Sequence, residues 1–109
     1  MDCSGFDWSQ ADIQDWEVEC IRQAAAQGQY LITKHAFQRM RERGISSHDV
    51  RNVLLNGTPV SKDLPHVNPR RAPGINIEGD LQDGRRIRVK ISWQEKYAVI
   101  TAHEVEVKP

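Results

Sequence analysis

At Thr58 the sequence changes its period, and that change constrains the fold more than any other feature of the chain. Before it, apolar residues recur every three to four positions between helix start and stop signals; after it they alternate, as in strands that bury one face. Ser9 and Asp12 form an S-x-x-D capping box ahead of Ile13, Trp16, Cys20 and Ala24, with Gly28 as the stop, which predicts a first helix over about 10–27. Thr33 is a usable N-cap for a second helix ending at Gly44, with Ala36, Phe37 and Met40 as its apolar stripe. A Ser46/Asp49 capping box and Asn56-Gly57 bracket a third, with Val50, Val53 and Leu54 facing inward.

Beyond the switch, residues 58–61 are expected as a short edge strand and the proline-rich stretch 62–74 as a loop. Ile75 and Ile77 lead into Asp83-Gly84, a two-residue hairpin signal. Ile87, Val89, Ile91 and Trp93 then alternate with Arg86, Arg88, Lys90 and Ser92, a half-buried strand with a basic outer face. Tyr97 to Val105 is a last strand, apolar on both faces. Helices followed by a meander predict an α+β fold, N-terminal helices packed on a twisted antiparallel sheet.

Charge divides the 109 residues unevenly although the formal net charge is zero. Residues 1–30 hold six acids (Asp2, Asp7, Asp12, Asp15, Glu17, Glu19) against Arg22 alone, and the remainder carries a matching excess of bases. An acidic leader, taken as an extension over 1–29, thus precedes a basic body over 30–109. The body is suited to an anionic partner such as nucleic acid. The leader either folds onto the body and neutralises it or masks the basic face in place of nucleic acid. No apolar run approaches a membrane span, and the N-terminus has no basic start followed by an apolar stretch. Cys3 and Cys20 lack a metal-type spacing, Cys3 in a mobile tail, so reduced thiols and a cytoplasmic protein are expected.

Few residues suit chemistry. The four histidines have no H-x-x-x-H spacing, neither cysteine sits in a reactive motif, and no glycine-rich loop cradles phosphate, so no metal or cofactor is expected. What stands out is His35, Arg39 and Arg43 at i, i+4 and i+8 of the second helix. Like charges so placed weaken an isolated helix by about 0.2–0.5 kcal/mol per pair. Three readings stay open: a solvated face, a structural bridge to sheet or leader, and a phosphate-binding face, since arginine forks match phosphate oxygens and histidine titrates near neutrality. Lys34 beside the stripe, Arg70 and Arg71 in the long loop, and Arg88 on the strand would extend such a face. His103 on the last strand is the candidate for a second proton-transfer role, while His66 and His48 are expected as surface residues.

The run ITKHAFQRMRERGI, followed by DGRRIRVKISW and YAVITAHEV, resembles an uncharacterised bacterial domain family with a T-K-H-A-x-x-R-M-x-x-R-G-I motif. Thr33, Lys34, His35, Ala36, Arg39, Met40, Arg43, Gly44 and Ile45 all match it, and the likeness spans about 30–105. That family is itself similar to the RelE/barnase-like ribonuclease toxins. The resemblance implies a metal-independent RNA endonuclease, with RNA, on or off the ribosome, as substrate and an antitoxin or immunity protein as partner. Only the helix motif carries over from the family; in such an enzyme the residues read above would share the work, His35 and His103 moving protons while Lys34, Arg39, Arg43, Arg70, Arg71 and Arg88 hold phosphate. The alternative is a module that binds nucleic acid or protein through the same face without cutting. Oligomeric state leaves no signal in the sequence.

Overall fold

A computed structural model describes residues 3–106. The elements run α1 (Asp15–Gln27), β1 (Leu31–Ile32), α2 (Lys34–Arg43), α3 (Ser47–Asn56), β2 (Thr58–Asp63), β3 (Gly74–Asp80), β4 (Arg86–Trp93) and β5 (Tyr97–Val105). The strands form one sheet in the order β1-β5-β4-β3-β2. The class is α+β, as the change of period predicts. The sheet is mixed, because the two residues of β1 pair parallel to β5 while the other neighbours are antiparallel.

The three helices start and stop for identifiable reasons. Thr33 accepts a hydrogen bond from the Ala36 amide, and the Ser46/Asp49 box caps α3 reciprocally. The first helix begins later than its sequence suggests. Ser9 is committed to an Asp7 carboxylate oxygen, so it cannot cap; Glu17 instead reaches back to the Gln14 amide at 2.8 Å and α1 starts at Asp15. Gly57 ends α3 with an ordinary φ of −72°. Glycine is needed there for space, since a Cβ would lie 2.6 Å from the carbonyl oxygens of Val53 and Glu78.

Packing of α3 on β3 and β4, α1 on α3, and α2 along β5 encloses one core. Ile75, Ile77, Ile87, Val89, Ile91 and Val99 come from the sheet, and Val50, Leu54, Ile21, Ala25, Ala36 and Met40 from the helices; all are essentially fully buried.

Several local expectations are corrected. The β3–β4 connection is a three-residue loop rather than two, closed by the Leu81 amide on the Arg85 carbonyl, with Gly84 at φ +92°. The edge strand continues to Asp63, shortening the loop to 64–73. The basic outer face of β4 is partly covered there: Lys90 is buried, with Nζ 2.8 Å from Asp63 and 3.0 Å from the Ala72 carbonyl oxygen. Cys3 and Cys20 form a disulfide with Cα atoms 5.4 Å apart, overturning the expectation of reduced thiols and of a loose tail. Disulfides persist in oxidising compartments, so this pair removes the ground on which a cytoplasmic location was expected.

The leader is also fastened by a buried ion pair. Lys62 Nζ lies 2.8 Å from Glu17 Oε1 with both side chains fully buried, and donates to the Asp7 carbonyl at 2.9 Å. The acid of the leader thus neutralises a lysine of β2. Asp2 lies outside the described residues. None of the described helices is long and apolar enough to cross a membrane.

Candidate functional site

The second helix occupies an unusual place. β1 covers β5 only at Ala98 and Val99, and the Thr33 amide donates to the Val99 carbonyl at 3.0 Å as the chain turns into α2. From there α2 lies along the outer edge of β5, a covering that protects an edge without a strand partner. A helix beside a sheet rather than on it buries a narrow stripe. Ala36 and Met40 are inward, whereas Phe37, expected in the same stripe, is 47% exposed.

Where α2 meets the edge of β5 there is a cleft of about 210 Å³, lined by His35, Arg39 and Arg43 from the helix and Thr101, Ala102 and His103 from the strand. The structure brings together four residues singled out in the sequence, His35, Arg39, Arg43 and, from a strand at the far end of the chain, His103. Among the described residues, no hydrogen bond or ion pair engages the side chains of His35, Arg39 or Arg43. The structural-bridge reading of the stripe therefore finds no partner among the described residues. Nor does the leader line the cleft, since α1 packs on α3.

His103 is half-buried, and its cross-strand partner is Arg88. Burial first, then the positive charges of Arg88, Arg43 and Lys90, lower its pKa below 6.5 against the opposing pull of Glu78. Both effects favour the neutral imidazole, the form able to accept a proton. Its strand neighbourhood is ordered by Glu78, which takes Arg88 at 2.6 Å and Arg86 at 3.1 Å.

The remaining candidates lie elsewhere. Arg88 is held by Glu78 and does not line the cleft. Arg71 sits 3.7 Å from Asp63, and Arg70 is exposed in the same loop. Lys34 faces a separate shallow depression with Phe37, Gln38, Arg41 and Glu42. His48 and His66 are exposed. Among the described residues no three His, Cys, Asp or Glu side chains gather in a group able to hold a metal.

One residue escaped the sequence reading. Arg85 donates to the Arg43 and Gly44 carbonyls at 2.6 and 2.9 Å, to Glu104 at 2.9 Å and to Asp83 at 2.8 Å. It ties the end of α2 to the β3–β4 turn and to β5. Nothing local announces this, because the helix carbonyls lie more than 40 residues away in sequence.

Fold and site together define a small α+β domain with a cationic helix set against the last strand of a mixed sheet. Residues 32–104 match the family described as a domain of unknown function, DUF4258, and the chain belongs to that family. The match begins at Ile32, so α1 lies outside it although Cys20, Ile21, Ala24 and Ala25 join the same core. No curated protein and no solved structure gave a match.

Proposed function

We propose that the cleft between α2 and β5 binds the phosphodiester of RNA and that the protein is a metal-independent ribonuclease of the RelE-like toxin type. The observation that carries this reading is the convergence in one cleft of two arginines, without a hydrogen-bond or ion-pair partner among the described residues, and two histidines, one of which burial and neighbouring positive charge bias toward the neutral form. RNA rather than DNA is the substrate because its 2′-hydroxyl is an internal nucleophile.

In this reading His103 accepts the 2′-hydroxyl proton as O2′ bonds to phosphorus. The P–O5′ bond breaks and His35 donates a proton to the departing 5′-oxygen, leaving a 2′,3′-cyclic phosphate and a 5′-hydroxyl. Arg39 and Arg43 hold the non-bridging oxygens, whose negative charge grows in the transition state. Arg70 and Arg71, on the loop between β2 and β3, would meet only a longer RNA that runs beyond the cleft. Arg88 joins it only by leaving Glu78. An antitoxin or immunity protein would act by covering the cleft, and a ribosome-bound message is a substrate of the same chemistry.

The test is cleavage of naked and ribosome-bound RNA in excess EDTA by the wild type, His35→Ala and His103→Ala. General acid–base catalysis contributes about 10²–10⁴-fold, so each variant should lose that factor while RNA affinity persists. Binding without cleavage on either substrate replaces the nuclease with a binding module on the same face. No binding at all ends both readings.

A further inference from the structure

We propose that Arg85 is a positioning residue that sets α2 against β5 and so fixes the spacing between the arginine stripe and His103. This rests on the cleft described above, but not on its being catalytic. Among the described residues α2 has two polar ties to the sheet. At its start the Thr33 amide meets the Val99 carbonyl of β5. At its end the Arg85 fork takes the Arg43 and Gly44 carbonyls while Glu104, the neighbour of His103, holds the same guanidinium. The cleft lies between these two ties.

The geometry suits a fork and not a point charge. Two carbonyls and a carboxylate oxygen are taken by the two terminal nitrogens of one guanidinium, while its Nε is bound to Asp83. A lysine ammonium keeps the charge but cannot bridge these acceptors in a plane. Between its ties α2 buries only Ala36 and Met40, so loss of the fork leaves its last turn free to shift beside β5. Arg43, in that last turn, is the helix charge that acts on His103 alongside Arg88 and Lys90 of β4 and Glu78 of β3.

The experiment is an NMR pH titration of the His103 ring in the full chain, comparing wild type, Arg85→Ala, Arg85→Gln and Arg85→Lys. Arg51→Ala is the control, since Arg51 makes the same kind of two-carbonyl clamp on α1, away from the cleft. Displacing one nearby charge at the surface should raise the His103 midpoint by about half a pH unit. We expect that rise in Arg85→Ala and Arg85→Gln, a similar rise in Arg85→Lys, and none in Arg51→Ala. Arg85→Gln keeps the test alive where the alanine variant does not fold. A wild-type midpoint in folded Arg85→Lys assigns any effect to charge and overturns the proposal. So does an equal rise in Arg51→Ala. The titration needs no catalysis, so failure of the nuclease reading would leave its result intact.

Discussion

The α1–α3 pair and α2 use arginine in opposite ways. Arg22 of α1 donates to the Leu54 and Gly57 carbonyls at the end of α3, and Arg51 of α3 returns the arrangement on Ala25 and Ala26 at the end of α1. Each helix thus satisfies the orphan carbonyls of the other with a charge that suits the negative end of its dipole. On α2 the direction reverses: Arg85 arrives from the β3–β4 turn to close the helix, and the helix's own Arg39 and Arg43 make no hydrogen bond or ion pair among the described residues. An arginine that ends on backbone carbonyls is part of the architecture. Those that end in the cleft beside His103 are the ones assigned to phosphate in the proposed function.

The sharpest test of the engaged side is its buried ion pair. Lys62→Met strands the Glu17 carboxylate in the interior and should cost about 3–5 kcal/mol in urea unfolding. A loss below about 1 kcal/mol would mean that water reaches Glu17 and that the leader is loosely held. Reducing Cys3–Cys20, which closes a loop with a sequence separation of 17, should remove about 3 kcal/mol. Unfolding curves that coincide with and without reductant would detach the leader from the cooperative unit.

The comparison itself is tested by paired substitutions. Arg22→Ala leaves two carbonyls without their donor and should cost about 1–3 kcal/mol. Arg39→Ala and Arg43→Ala should change stability by no more than about 0.5 kcal/mol. Each should also lower the salt slope of RNA binding by about one, an effect absent from Arg22→Ala. Equal destabilisation by all three would erase the distinction between the two regions.

The smallest effect is the pH dependence from His103. Its pKa in the folded protein lies below 6.5, so folding favours the neutral ring. That contribution is fully present above about 6.5 and is lost as pH falls through the folded value. His103→Gln should therefore flatten part of the stability loss between neutral and mildly acidic pH. A histidine that titrates at or above 6.5 by NMR would remove it as the neutral partner in the cleft.

Local signals were legible where neighbours in sequence decide the outcome. Thr33, Gly44 and the Ser46/Asp49 box act within one helical turn, and the alternation of Ile87, Val89 and Ile91 is a property of the strand alone. The capping box at Ser9 misled because Asp7, two residues away, competes for the same hydroxyl. Phe37 misled because helical spacing does not reveal how wide a stripe the neighbour covers. The disulfide and the Glu17–Lys62 pair carried no local mark, since each joins residues that only the completed packing brings together.

The sequence by itself determined the change from helices to strands at Thr58, the helix limits of α2 and α3, and the cationic stripe at i, i+4 and i+8, because these depend on backbone preferences and periodicity. Only the tertiary structure decided that β1 would stop after two residues, leaving α2 to flank the rest of β5. That placement turns the stripe toward His103 and leaves Arg85 to hold the helix end. Its reason is geometric: charges far apart in sequence act together only when packing removes the water and the distance between them.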